Sequence, residues 1–238
     1  MSTNVVSGSI EHIKSTSCTG RALDLNFFPS HLPALFETYS ERLEIRAYTW
    51  TDDDLVLFHQ CNPRLRIERL ANGRVSVKPA DGANVEALQE EILRQLRSWN
   101  EERSPERGRC FTPPGGFFLP VVKSQRSPQV AFTGRNRWHL QMVGKPIGGL
   151  LVRACPQLCV EVATSKETLE EARAKAKEYL IAGCELVWIF YAEKNVVFVY
   201  RREFDEDFVV NPTELRGDPF LPNFVLRVDE LRAKGVWF

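Results

Sequence analysis

One carboxylate stands inside an otherwise apolar run, Leu158-Cys159-Val160-Glu161-Val162-Ala163. Side chains of a strand alternate between its faces. Leu158, Val160 and Val162 therefore point one way, and Cys159, Glu161 and Ala163 the other, so two small neighbours leave space around Glu161. Leaving a carboxylate buried and unpaired costs several kcal/mol, so it requires a metal ion, a cationic partner or water. The plainer alternative is a strand-end glutamate that reaches solvent or pairs with a lysine. Ser127-Pro128-Gln129-Val130-Ala131-Phe132 repeats the arrangement. Here Gln129 shares one face with Ser127 and Ala131, which suits either a shallow polar site or a glutamine satisfied within a sheet.

The elements that must position these groups can be read in order. The first twenty residues are rich in Ser and Thr and lack apolar periodicity, which predicts a flexible arm. Residues 21–46 carry Leu23, Leu25, Phe27, Phe28, Leu32, Leu35, Phe36 and Leu43. That is too apolar for a linker and predicts packing on the core, on a second copy of the chain or on a protein partner. Thr51-Asp52-Asp53-Asp54 ahead of Leu55-Val56-Leu57-Phe58 is a helix start; its acids are read as favourable charge at the helix N-terminus rather than as a metal site. Arg64–Leu70 and Arg74–Lys78 alternate polar and apolar residues about Ala71-Asn72-Gly73, and Asn-Gly signals a hairpin. Val85, Leu88, Ile92, Leu96 and Trp99 make the stripe of a helix over residues 85–100.

Short strands are expected near Cys110-Phe111, at Phe117–Leu119 and over Ser127–Phe132, then the apolar strand 158–163. A helix over 167–182 turns Leu169, Ala172, Ala176, Tyr179 and Leu180 inward, with Gly183 as its stop. Leu186–Tyr191 and Val196–Tyr200 are strands joined by a tight turn, and a short helix around Asp229–Arg232 closes the chain. There is no internal repeat.

Composition excludes some classes. In 238 residues, Lys plus Arg and Asp plus Glu both number 31, and a net charge of zero argues against a strong non-specific binder of nucleic acid or membrane, though not against a local basic groove. Cys18, Cys61, Cys110, Cys155, Cys159 and Cys184 are irregularly spaced with no CxxC pair, and His12, His31, His59 and His139 do not cluster with them. Free, mostly buried thiols in a reducing compartment are expected rather than zinc. No apolar run reaches the roughly 18 residues of a membrane helix and no apolar signal core opens the chain, so a cytoplasmic protein without a membrane partner is expected.

Taken together, Ser127–Phe132, then Cys155-Pro156-Gln157 through Ser165, then Lys175–Cys184, Leu186–Ile189 and the Val196–Arg201 strand resemble the Uma family of restriction endonucleases, within the PD-(D/E)XK nuclease superfamily. Asn62–Arg69 and Leu221-Pro222-Asn223-Phe224 resemble its flanking stretches, and the resemblance spans about residues 50–235. It implies an α/β fold of restriction-endonuclease type: a mixed β-sheet core flanked by helices, with a metal site at the rim. It also implies two domains of unequal character, an N-terminal arm over 1–46 and the nuclease-like domain over 47–238.

In the family a first-motif Asp, a second-motif Glu and a further acid from an earlier helix bind Mg²⁺, and a Lys that has moved to the following helix assists. Carboxylates supply hard oxygen ligands, the metal polarises phosphate and generates hydroxide, and Lys steadies developing charge. Glu161 matches the Glu and Lys175 the migrated Lys. Gln129 stands where the Asp is expected and Asn84, by a looser match, where the early acid is expected. Gln157 replaces an Asp usual after the Pro of the second motif, and Ala163 leaves no Lys on the strand. Lys175 also has a structural alternative, an i,i+4 pair with Glu171.

The implied metal set is thus Glu161, Gln129 and Asn84, with Glu161, Lys175 and Gln129 as the catalytic remnant. Mg²⁺ is expected to bind weakly or not at all, with Mn²⁺ the better probe. Three readings of function follow: the first two are a nuclease fold with a weakened or lost site that acts by binding, with DNA a candidate partner, and a metal-dependent DNA endonuclease that draws a further acid from Glu86, Glu90, Glu91 or Glu178. A scaffold subunit without a nucleic-acid partner is the third.

Overall fold

The computed structural model describes residues 43–47, 50–141, 151–202 and 206–237. Strand β1 (Leu43–Arg46) is followed by α1 (Asp52–Cys61), the hairpin β2 (Leu65–Arg69) and β3 (Arg74–Pro79), and the long α2 (Ala83–Glu102). Then come β4 (Arg109–Phe111), β5 (Gly116–Leu119), β6 (Ser124–Arg126), β7 (Val130–Thr133), α3 (Arg135–Gln141) and β8 (Leu151–Val152). The last part holds β9 (Leu158–Ala163), α4 (Lys166–Ile181), β10 (Leu186–Tyr191), β11 (Val196–Arg201), β12 (Asp207–Val210), β13 (Glu214–Arg216), β14 (Val225–Arg227) and α5 (Val228–Ala233).

Local chemistry explains the main helices. Thr51 caps α1 in a reciprocal box with Asp54, its hydroxyl accepting from the Asp54 amide at 3.2 Å while the Asp54 carboxylate accepts from the Thr51 amide at 2.8 Å, which satisfies orphan donors of the first turn. Ser165 and Thr168 form the same device on α4. In α2 the stripe of Leu88, Ile92, Leu93 and Leu96 is buried.

The fold is α/β and mixed, as expected, but the strands among the described residues divide into two six-stranded sheets and a small pair. The first sheet runs β1-β3-β2-β6-β5-β8, the second β12-β11-β10-β9-β7-β4, and β13 pairs with β14. Within the second sheet β9 and β10 are parallel. A parallel pair needs a crossover, and α4 provides it. Leu169, Ala172, Ala176 and Tyr179 of α4 lie with Ala131, Cys159, Ala163, Val187 and Ile189 on one face. The stripe of α2 lies with Val130, Leu158, Val160 and Trp188 on the other. A third cluster joins Leu55, Val56 and Phe58 of α1 to Ile67, Val75 and Val77 of the first sheet.

Two expectations change. Residues 127–132 are not one strand: β6 ends at Arg126 in the first sheet and β7 begins at Val130 in the second. The chain changes sheets across Ser127-Pro128-Gln129. Residues 43–46, read from sequence as the end of the arm, pair antiparallel with β3 at the edge of the first sheet; the packing expected for 21–42 lies outside the described residues. Cys155, Cys159 and Cys184 are buried and free, Cys110 is half-buried, Cys61 is exposed, and Cys18 lies outside the described residues. No helix among the described residues is long and apolar enough to cross a membrane.

Candidate active site

Glu161 is central in β9 and only 2% exposed. The antiparallel register of β7 on β9 sets Val130 against Val160 and Ala131 against Cys159, and Gln129 immediately precedes this paired stretch. Glu161 shares the face of Cys159 and Ala163, the side covered by α4. Gln129 is buried, and its carbonyl Oε1 has no hydrogen-bond partner.

Lys175 reaches the same place from α4. Its Nζ lies 3.0 Å from Glu68 Oε2 and 3.5 Å from Glu161 Oε2, so one ammonium spans two carboxylates. The alternative for Lys175, a surface pair with Glu171, is not its main role, because the side chain is buried with these two acids. The Tyr179 hydroxyl, one turn further along α4, donates to Glu161 Oε1 at 2.7 Å.

Glu68 is the acid that the sequence reading missed. It comes from β2 of the first sheet, and its other oxygen accepts the Ser127 amide at 2.9 Å, at the point where the chain changes sheets. Arg126 binds Glu68 Oε2 at 3.2 Å and holds Glu178 with two bonds of 2.8 and 2.6 Å. Arg66, two residues before Glu68 and on its face, is hydrogen-bonded to Asp81 and to the Ser127 carbonyl, each at 2.5 Å. In the sequence Arg66 and Glu68 read as the polar face of an ordinary hairpin strand. Nothing within that strand reveals that a second layer will cover it.

Asn84 is exposed in the first turn of α2, and among the described residues no hydrogen bond ties it to Glu161 or Lys175. The carboxylate that shares the Lys175 ammonium with Glu161 is Glu68 of β2. Glu178 faces Arg126, while Glu91 is bound by Arg94 and Lys234; Glu86 and Glu90 are exposed. Gln157 is committed elsewhere, donating to the Phe220 carbonyl at 2.8 Å.

Burial and charge oppose each other at these groups. Burial alone would raise the Glu68 carboxyl, but Lys175, Arg126 and Arg66 together hold it well below the usual carboxylate range. For Glu161 burial wins: it raises the pKa, Lys175 opposes this, and the charge of Glu68 adds to the rise. Burial would lower the Lys175 ammonium, yet Glu161 and Glu68 raise it, so it stays charged. A buried charge is tolerated only when paired, and this network pairs each one. A cavity of about 370 Å³ beside the hairpin turn, lined by Leu70, Asn72, Arg126, Glu171, Lys175 and Glu178, opens the cluster to the outside.

A hard cation would meet two carboxylates here, Glu161 and Glu68, and both are already bridged by the Lys175 ammonium. Among the described residues no group of three or more acidic, His or Cys side chains is arranged to hold a metal.

Comparison with known proteins gives the frame. The crystal structure described as that of "a putative nuclease belonging to DUF820" from Anabaena variabilis ATCC 29413 is similar with a TM-score of 0.57 at 16% identity, over 70% of this chain and 89% of that one. At such identity the likeness speaks to the fold alone. No curated protein matches the chain. The model of the Uma2 family, described as "Putative restriction endonuclease", matches residues 55–229. Both sheets' site strands, α4, and the Glu68, Glu161 and Lys175 cluster fall within that match, and the chain belongs to the Uma2 family.

Proposed function

We propose that this protein uses a nuclease fold to bind nucleic acid, with a metal-dependent cleavage site that has been weakened. The observation that carries this reading is the position of Lys175, 3.0 Å from Glu68 and 3.5 Å from Glu161, with a carboxamide at Gln129 in place of a third carboxylate. Two carboxylates beside a resident ammonium give a cation little net negative charge, and Mg²⁺ requires anionic oxygens to displace part of its water shell. The donor set as it stands does not fit a resident magnesium ion, so no cleavage step is derived through one. Lys175 and Arg126 line the cavity but are already paired with Glu68, Glu161 and Glu178, and Tyr179 orients Glu161.

One observation favours a second reading, a metal-dependent DNA endonuclease. Glu68 brings a second carboxylate to Glu161, and a metal that displaced the ammonium would meet two anionic oxygens, leaving Lys175 free to steady charge on the phosphate. Plasmid nicking with Mg²⁺ or Mn²⁺, beside anisotropy binding of labelled duplex DNA, separates the readings. The binding reading expects retention of duplex without nicking. Robust nicking by the wild type that is lost in both Glu161→Ala and Glu68→Ala would establish the second reading instead.

A further inference from the structure

Away from this cluster the structure holds a second charged cavity. It has a volume of about 310 Å³ and is lined by Pro105, Arg107, Gly108, Arg109, Arg135 and Trp138. It lies at the other end of β7: Arg109 pairs with Thr133, whereas Gln129 precedes the opposite end. Four residues of strand separate the two, about 13 Å at roughly 3.3 Å per residue.

The three guanidiniums are exposed, and among the described residues none is joined to a carboxylate. In a chain whose charges balance, and in which Arg66, Arg69, Arg126, Arg137 and Arg173 all have acidic partners, this is a local surplus. Glu101, Glu102 and Glu106 are exposed on the adjoining turn, but none lines the cavity.

The arginines are also held in place by neutral groups. Arg107 donates from Nε and one terminal nitrogen to the Glu101 carbonyl at 3.2 and 3.0 Å. Arg135 donates to the Pro105 carbonyl. Arg109 lies over the Trp138 ring, 4.4 Å from its centroid, and that ring is itself stacked on Phe111. Gly108, between two of the arginines, is clamped by Asn100: the carboxamide oxygen accepts the Gly108 amide at 2.8 Å and its nitrogen donates to the Gly108 carbonyl at 3.2 Å. A Cβ at Gly108 would sit 2.4 Å from both Phe132 and the Thr133 carbonyl, so the loop is pressed directly onto β7. Carbonyl bonds and stacking hold guanidiniums without neutralising them, and leave N–H groups free for an anion.

We infer that the Arg107, Arg109 and Arg135 cavity is a binding site for a backbone phosphate of a nucleic-acid strand. Guanidinium groups match phosphate through paired N–H donors. Trp138 is buried under Arg109 and cannot stack on a base, which favours the phosphate over the base as the bound group. The nucleic-acid source of that phosphate rests on the function proposed above.

The test measures binding of a labelled duplex and of a labelled single strand by fluorescence anisotropy from 50 to 200 mM salt, with a parallel calorimetric titration of pyrophosphate. Proteins are the wild type, Arg107→Ala/Arg109→Ala/Arg135→Ala, the single Arg107→Glu, and a control triple, Lys194→Ala/Arg216→Ala/Arg227→Ala. The expected result is at least a tenfold loss of affinity in the first triple and in Arg107→Glu at about 0.1 M salt. The first triple should also lower the magnitude of the log–log salt slope by about 0.9, the value for one phosphate that is no longer neutralised. The control triple should stay within about threefold. Arg107→Glu guards against misfolding, since the Arg107 side chain is exposed and, among the described residues, bonds only the Glu101 carbonyl. Undiminished nucleic-acid binding by the first triple overturns the site and leaves the nucleic-acid function standing. Absence of nucleic-acid binding by the wild type, with pyrophosphate bound only when the arginines are present, overturns the nucleic-acid function and the strand as ligand.

Discussion

Lys175 and Glu68 belong to different layers of the molecule, one on the helix that crosses over between β9 and β10 and the other in the hairpin of the first sheet, and their charged atoms meet at 3.0 Å. Glu161 shares the same ammonium at 3.5 Å. The interior of the site is therefore an ion cluster whose charges are balanced across the junction of two sheets, and its response to substitution should be unequal among its members.

Removing the cation leaves two buried carboxylates without it. Lys175→Met should cost about 3–5 kcal/mol, the usual penalty for stranding a buried partner, read as a fall in the urea midpoint at unchanged slope. Glu161→Gln should be neutral or stabilising. The raised pKa of Glu161 means that its favourable protonated form is fully present below the unfolded value near 4.5 and is lost as pH rises through the higher folded value. Glu161→Gln should accordingly flatten stability across that window. Equal destabilisation by both variants at pH 7 would refute the unequal roles.

His59 provides an independent acid response. It is 2% exposed on α1, and burial lowers its pKa from 6.5 to about 4 despite a polar contact with Gln125 and the charge of Glu68. The unfolded chain takes up the proton near 6.5 and the folded chain only near 4, so stability present above 6.5 declines as pH falls through that interval. The loss attributable to this group is about 3 kcal/mol at roughly 1.4 kcal/mol per pKa unit. Subtracting the pH–stability curve of His59→Gln from that of the wild type should isolate it; a flat difference would show that His59 is not the titrating group.

Gly108→Ala should be destabilising by about 1–3 kcal/mol, the usual cost of overpacking. The added carbon would meet Phe132 and the Thr133 carbonyl at 2.4 Å, and the second of these is backbone that cannot swing aside. Thermal melts of the variant and of Asn100→Ala, which removes the clamp on the same residue, should both shift downward. An unchanged melting temperature in Gly108→Ala would mean that the loop can lift from β7.

Gln129→Asp should strengthen Mn²⁺ binding by at least about tenfold in a calorimetric titration, because it adds an anionic oxygen one residue before Val130, which pairs with Val160 beside Glu161. Combining it with Asn84→Glu should add little, since Asn84 is exposed and has no bond to the cluster. If Gln129→Asp leaves the affinity where it was, the carboxamide is not the missing ligand and the weakness of the site lies with Lys175.

Short-range signals in the chain determine much of what is seen. The Thr51–Asp54 box, the Asn-Gly hairpin, the two faces of β9 and the inward stripe of α4 follow from periodicity and capping within windows of a few residues, and the family resemblance is carried by those same windows. The resemblance implies that Glu161 and Lys175 meet, and they lie 3.5 Å apart. Glu68 cannot be placed in this way, because a polar residue on an alternating strand looks solvent-facing until another layer buries it. Nor can the break at Ser127–Gln129 be read locally, since the same six residues satisfy strand preference whether they join one sheet or link two. The tertiary structure decides these points because burial and strand pairing are competitions among distant segments: β6 pairs with β2, β7 with β9, and the turn between them delivers the Ser127 amide to Glu68.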